Sequence, residues 1–458
     1  MKITIIGAGG VRTPLVLKSF LARQERLKLT ELALMDVDAE HLELIRALSI
    51  PVLEEGQATF HTSWTTDARQ ALQDADYVVT TFRVGGIASR VVDEQVPLRY
   101  SVLGQETTGP GGFAMALRTI PPILEYVELV RALAPDAWII NFTNPAGLVT
   151  EAIINHAGFE RAMGICDNPP AMCRAIAHFL GARPGEVFLE YFGLNHLGWV
   201  RAVHYRGEDV LPTLIAEIKN LQQEVHGLPF DPDFIEALGM LPNEYLYFYY
   251  RNREAVEHIL QAGQSRAQQI APLNRRLFEQ LQRIHQAEGS VAEMEAAYRE
   301  YLYGRHATYM SIETGSEVHA ESAGAEMDEA EAAEGYAGVA LDVIGCLSNG
   351  ETGTLALNVP NRGAITGMEE RDIVEVSCYL ARGLVRPLAI GSIPDHALGL
   401  MKRVKEYERL TVEAAVTGSY AAALKALALH PLVPSYGVAR RILDDYVEQH
   451  GDLFPKLS

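Results

Sequence analysis

The apolar run Ile3–Ile6, which breaks into Gly7-Ala8-Gly9-Gly10-Val11-Arg12 and then a helical segment, constrains the fold more than any other stretch. Glycines at a strand-to-helix turn let the backbone bend tightly and approach a pyrophosphate, while the next helix offers the positive end of its dipole. Arg12 occupies the place of the third glycine in the standard dinucleotide fingerprint. A second strand, Leu32–Met35, ends in Asp36, within the range of a carboxylate that binds an adenosine ribose. An acid there favours NAD over NADP, because it repels a 2′-phosphate. The competing reading of Asp36-Val37-Asp38 is a helix cap, but its position after a strand favours ribose binding.

The alternation continues. Thr59–Thr62 reads as a strand, Asp67–Leu72 as a helix and Tyr77–Phe82 as a strand. A helix Gly112–Leu133, a strand Trp138–Phe142 and a helix Leu148–Ala157 lead to a last strand, Arg161–Ile165. Strands spaced by helices predict an α/β fold with a Rossmann-like doubly wound parallel sheet, whose ligands collect at the carboxyl ends of the strands. Arg83-Val84-Gly85-Gly86, Asn141-Phe142-Thr143-Asn144-Pro145 and Cys166-Asp167-Asn168-Pro169 all leave polar residues at that edge. The segment 85–112, carrying Arg90, Asp93, Glu94 and Arg99, reads as a long polar loop forming a wall over the cofactor.

Cys166 follows one strand, and His196 follows another, Val187–Phe192. A thiolate and an imidazole on two strand ends suit a divalent cation with coordination positions left for substrate. Taken alone the pair is weak, since an isolated cysteine is most often an inert core thiol. At 458 residues the chain calls for two joined domains, expected at 1–165 for the cofactor and at 166–458 for metal, substrate and oligomer contacts. The second reads as mixed α+β. It has strands at Trp199–Tyr205, Thr354–Val359 and Val374–Leu380, and helices at Pro212–Glu224, Arg253–Ala287, Ala397–Val416 and Tyr436–His450. A net charge of −20 argues against nucleic acid or an anionic membrane as partner. Four cysteines are too few for a disulfide framework, and neither a signal peptide nor a spanning apolar run is read, so a cytoplasmic protein is expected.

Several of these motifs occur in an order that resembles glycoside hydrolase family 4. They are Gly7-Ala8-Gly9-Gly10, Arg83-Val84-Gly85-Gly86, the segment Gly104–Gly112, Asn141–Gly147, Gly164-Ile165-Cys166, Gly193-Leu194-Asn195-His196 and Asn358–Ile365. The resemblance covers nearly the whole chain. Thr107-Thr108 is similar to the 6-phospho-β-glucosidase branch, whereas Asp167, directly after the cysteine, departs from it and matches the 6-phospho-α-glucosidases. The acidic, alanine-rich stretch 315–335 has no counterpart in the resemblance and reads as a mobile surface loop or a helical excursion.

The resemblance implies hydrolysis of a phosphorylated glycoside with NAD and Mn²⁺ or another divalent metal, outside the usual two-carboxylate pattern. It implies oxidation of the sugar at C3, loss of the C2 proton, elimination at C1, addition of water and re-reduction. Carried over residue by residue, Cys166 and His196 match the metal ligands. Tyr245 matches the base, with Tyr249 close behind it, and Asp167 matches the acid toward the leaving oxygen. Arg83 and Asn144 join Gly7, Gly9, Gly10 and Asp36 as cofactor contacts. Arg266 and Arg90 match phosphate contacts, for which guanidinium forks are suited, and Asn144 and Asn195 match contacts to sugar hydroxyls. A homodimer or homotetramer is implied. The alternatives are a family-4 enzyme acting on a 6-phospho-α-glucoside, an α-galactoside or an α-glucuronide, and a 2-hydroxy-acid dehydrogenase. The last needs a histidine–aspartate relay that the sequence does not display.

Overall fold

A computed structural model describes residues 1–224, 228–306, 310–315 and 329–458. Most of the stretch 315–335, and with it the expected loop or helical excursion, lies outside the described residues. The strands are β1 Lys2–Ile6, β2 Glu31–Met35, β3 His61–Thr65, β4 Tyr77–Thr80, β5 Trp138–Asn141, β6 Ala162–Gly164 and β7 Val187–Leu194. They continue as β8 Leu197–Tyr205, β9 Glu208–Asp209, β10 Leu241–Pro242, β11 Gly353–Pro360, β12 Ile373–Ala381 and β13 Leu384–Pro387.

All join one sheet in the order β10-β8-β7-β12-β11-β6-β5-β4-β1-β2-β3, with β13 and β9 added at its flanks. From β3 to β6 every pairing is parallel and the order is that of a doubly wound dinucleotide fold. Beyond β6 every pairing is antiparallel, so the carboxyl-terminal half extends the same sheet rather than building a separate one. One row of paired residues crosses the junction: Ile6, Thr80, Asn141, Gly164, Asn358, Glu375, Gly193 and Gly198. Polar residues in the middle of buried strands are costly unless they are partnered, so this row marks where the fold must provide for them.

The parallel half forms where the pattern foretold. Strands β1, β2 and β4 are largely apolar and buried on both faces, as parallel strands covered by helices are, while the edge strand β3 is polar and partly exposed. The expected strand at Thr59–Thr62 begins later, at His61, and runs to Thr65. The expected loop 85–112 is corrected more deeply, because Gly86–Leu98 is a helix and the next helix starts at Gly109. Polarity there was misleading because the charges are paired inside. Arg118 grips Asp93 through two 2.6 Å bonds, and Arg90 Nε lies 2.7 Å from Glu94 Oε1. Arg90, Asp93, Glu94 and Arg118 are all buried. The expected helix Arg253–Ala287 is two helices, Asn252–Ala262 and Arg266–Gln286. The second restarts at Ser265, whose backbone N–H donates to the Gln268 side chain in a capping box.

Candidate functional site

At the first strand end, Gly7 adopts φ +104°, and a Cβ there would lie 2.7 Å from the backbone of Thr81 and Phe82. Only glycine lets β1 and the turn after β4 approach so closely at the point where the strand order reverses, the crevice in which dinucleotides bind. Asp36 reaches back across this turn, its Oδ2 accepting from the Gly9 N–H at 2.8 Å. The helix cap is Asp38, which accepts from the His41 N–H at 3.0 Å, so capping does not occupy Asp36. The helix Thr13–Leu27 starts at Arg12 with no side-chain cap. Thr13 N–H already donates to Gly10 O at 3.1 Å and Pro14 has no N–H, so an anion meets mainly the positive end of the helix dipole. These features fit a dinucleotide.

A second wall is cationic and balanced. Arg83 Nη2 lies 2.5 Å from Glu106 Oε2, and Arg90 Nη1 lies 3.1 Å from Glu106 Oε1. Burial alone would push the Glu106 carboxyl up, but Arg83 and Arg90 outweigh it and hold it at about 2. Arg266 opens its helix, donating to Arg305 O at 2.5 Å and to Gln269 Oε1 at 3.2 Å. The next residue, Ala267, donates its N–H to Glu94 Oε2 at 2.7 Å. The structure therefore brings Arg83 and Arg90 together on Glu106, with Arg90 also on Glu94, and sets Arg266 at the helix start whose next N–H meets Glu94. Half-buried Arg305 belongs to the same group, pushed below its usual range by desolvation and further by Arg12 and Arg90.

The third wall is anionic. Cys166 lies just past β6, and burial, then Glu375 and Asp167, push its thiol well up. Glu375 sits in the middle of β12 and accepts from Tyr191 Oη at 2.9 Å, Asn358 Nδ2 at 2.9 Å and Asn195 Nδ2 at 3.2 Å. Even with three donors, burial holds Glu375 at about 7. Gly198 makes room for this network, since a Cβ there would lie 2.2 Å from Tyr191 Oη. Asn243 extends it, donating to Tyr191 Oη at 3.1 Å and to Asn168 Oδ1 at 2.5 Å while accepting from the Tyr245 N–H at 2.9 Å. The turn after Cys166, the Asn195-His196 turn and Tyr245 are thus tied to one hydrogen-bonded chain.

His196 occupies the two-residue turn between β7 and β8 at φ +61°. Left-handed backbone at a non-glycine residue costs roughly 1–2 kcal/mol, a strain that native folds concentrate at functional sites. Its ring stacks on Tyr245, with centroids 3.8 Å apart and planes 9° from parallel, and its Nδ1 lies 2.8 Å from Thr107 Oγ1. Burial lowers the His196 pKa to about 4, so the imidazole is neutral and keeps a lone pair. An electron-pair donor, a buried thiol and surplus carboxylates together suit a divalent cation. Among the described residues, no group of three or more His, Cys, Asp or Glu side chains is gathered as a ready-made metal cage.

Tyr249, the competing tyrosine, borders the same site from another side, lining a small cavity with Thr107, Thr108 and Asn195. It is half-buried, with Glu408 and His430 on the same cavity and its ring centroid 6.1 Å from that of His430. Asn144 lies in the turn after β5, joined to Pro145 by a cis peptide bond. Glu375, Gln105, Glu106, Tyr191 and Arg305 were not singled out from the sequence. For Glu375 a signal was present, namely one carboxylate inside the apolar run Ile373-Val374-Glu375-Val376.

Fold and site define a dinucleotide-fold protein with a cationic and an anionic wall facing one cleft. The chain belongs to glycoside hydrolase family 4. The family model described as "Family 4 glycosyl hydrolase" matches residues 2–182, and the model of its C-terminal domain matches 191–433. A 6-phospho-β-glucosidase of Thermotoga maritima is 32% identical over 448 residues, covering 98% of each chain. The structure of the Thermotoga maritima 6-phospho-β-glucosidase solved with manganese, NAD⁺ and glucose-6-phosphate covers 100% of both chains, with a TM-score of 0.83 and 30% identity. A 6-phospho-α-glucosidase from gut microorganisms, solved with NAD and Mn²⁺, covers 100% of this chain and 99% of its own, with a TM-score of 0.84 and 28% identity. No helix among the described residues is long and apolar enough to cross a membrane.

Proposed function

We propose that this protein hydrolyses 6-phospho-β-glucosides with NAD and a divalent metal, Mn²⁺ by analogy with its relatives. The observation that carries the reading is the neutral His196, held between Tyr245 and Thr107 and linked through Tyr245, Asn243 and Asn168 to the turn after Cys166. When bound, NAD accepts and returns a hydride, and the metal withdraws electrons from the sugar oxygen and acidifies the neighbouring C–H. Cys166 and His196 would hold the metal, and Gly7, Gly9, Gly10, Asp36, Arg83 and Asn144 the cofactor. Tyr245 takes the C2 proton on its phenolate oxygen, a role for which a base must reach the carbon directly. Asp167 protonates the leaving oxygen. Arg90 and Arg266 bind the 6-phosphate, and Asn144 and Asn195 orient the hydroxyls. The anomeric choice rests on Thr107-Thr108 and on the identity to β-acting relatives; Asp167 favours the α-linked alternative.

The four free cysteines and the net charge of −20 support a cytoplasmic protein with no nucleic-acid partner, and the family resemblance supports a homodimer or homotetramer. The division into a cofactor-binding part, 1–165, and a metal- and substrate-binding part, 166–458, belongs to the same proposal. The test incubates the protein with aryl 6-phospho-β- and 6-phospho-α-glucosides and their unphosphorylated parents, with and without NAD⁺, Mn²⁺ and reductant. Cleavage of the β-phosphoglucoside that requires both additions is expected. Net accumulation of NADH would identify a dehydrogenase instead, and preferential cleavage of an unphosphorylated glycoside would remove Arg90 and Arg266 from the phosphate role.

A further inference from the structure

We infer that Gln105 and Thr107 form a hydrogen-bond relay that locks His196 in its Nδ1–H tautomer and so presents the Nε2 lone pair to a metal ion. The inference rests on the reading of His196 as a metal ligand and adds two positioning residues to it.

The direction of each bond follows from one obligate donor. The Thr107 backbone N–H can only donate, and it lies 2.7 Å from the Gln105 side-chain oxygen, which fixes the orientation of that amide. Thr107 Oγ1 lies 2.9 Å from the same oxygen. Two oxygens at that distance need a proton between them, and only the threonine hydroxyl has one, so Thr107 donates to Gln105. Its hydroxyl proton is thereby used. Toward His196 Nδ1, 2.8 Å away, Thr107 Oγ1 has only lone pairs left and must accept. A neutral imidazole carries one proton, so Nδ1–H leaves Nε2 unprotonated. The opposite tautomer would set two lone-pair acceptors against each other, either at Gln105–Thr107 or at Thr107–His196. Stacking on Tyr245 fixes the ring plane, and the relay fixes the proton. Metal-bound histidines generally need such a partner on the other nitrogen, and losing it costs about 10–100-fold in metal affinity.

The test uses the full chain with two readouts. The first is long-range proton–nitrogen NMR of protein labelled with ¹⁵N-histidine, with His196 assigned by the signal lost in His196→Gln. The second is Mn²⁺ binding followed by the electron paramagnetic resonance of the free ion. The parent is expected to show a protonated Nδ1 and an unprotonated Nε2. Thr107→Val, which keeps the shape and removes the acceptor, should lose that preference and weaken Mn²⁺ binding about 10–100-fold. Thr107→Ser should restore both. Gln105→Leu frees the threonine proton to turn toward His196 and should shift the tautomer, whereas Gln105→Glu should hold it. If Thr107→Val does not fold, Gln105→Leu gives the same two readings. A Thr107→Val or Gln105→Leu protein that retains both the Nδ1–H signal and parental Mn²⁺ affinity overturns the relay. If the parent binds no Mn²⁺, the functional reading fails, while the tautomer signal still decides the relay.

Discussion

Two walls of the cleft meet at the segment Gln105–Thr107, and they handle buried charge in opposite ways. On one side Arg83 and Arg90 grip Glu106, Arg90 and the helix start at Arg266-Ala267 meet Glu94, and Glu106 is driven down to about 2 by its cationic neighbours. On the other side Cys166, Asp167 and Glu375 stand together, and both Cys166 and Glu375 are driven up, Glu375 to about 7. Three neutral amide and phenol donors serve Glu375, and no cation is among them. Buried charge is tolerated only when compensated. In the proposed function the cationic wall, which carries its own counter-charges, exchanges them for a phosphate, and the anionic wall is completed by a metal ion from outside. The site is therefore asymmetric in what it asks of its ligands.

The residue at the seam tests the division most severely. Tyr245→Phe should lower kcat by about 10²–10⁴-fold, the usual contribution of a general base, and abolish exchange of the sugar C2 proton with solvent. Persistent exchange would place the base on another residue. Next, Glu375→Gln keeps the shape of the anionic wall but removes its charge. It should weaken Mn²⁺ binding about 10–100-fold, as loss of a supporting group around a metal does, while inhibition by inorganic phosphate stays as in the parent. The reciprocal change, Arg266→Gln, should raise KM for the phosphoglucoside about tenfold, matching roughly 1.5 kcal/mol for one charge-assisted hydrogen bond. Mn²⁺ affinity should not move. If either variant disturbs both ligands equally, the two walls are one network and the comparison breaks.

The smallest effect lies behind the cleft. Burial, and then Arg403, lower the His430 pKa to about 3, and its Nδ1 accepts from the Leu432 N–H at 3.2 Å. The folded protein therefore refuses a proton that the unfolded chain takes up near pH 6.5. Stability is complete above that pH and is lost as pH falls toward 3, by at most about 1.4 kcal/mol per pH unit. His430→Phe should flatten this slope in urea titrations between pH 6.5 and 5; an unchanged slope would mean that His430 is hydrated or charged in the folded state.

Much of the parallel half was legible because its signals are local. Gly7, the apolar run before it and the acid Asp36 after the second strand lie within one continuous segment, and short-range pattern is enough to read them. The segment 85–112 failed for the opposite reason. Its polarity implied solvent, yet the partner of Asp93 is Arg118 and the partners of Glu94 include the Ala267 backbone, distant in the chain. Glu375 was hidden likewise, since its donors Tyr191 on β7 and Asn195 in the turn after it neighbour β12 only after folding.

What the sequence by itself determined was the dinucleotide half, the family resemblance and the residue types available for chemistry. Only the tertiary structure decided which of those residues are compensated: which arginines face a carboxylate, which carboxylate has only neutral donors, and which nitrogen of His196 holds its proton. The reason is physical. Backbone conformation follows from neighbours along the chain, whereas the charge and proton state of a buried group are set by whatever atoms lie within a few ångströms of it, and folding draws those from distant segments.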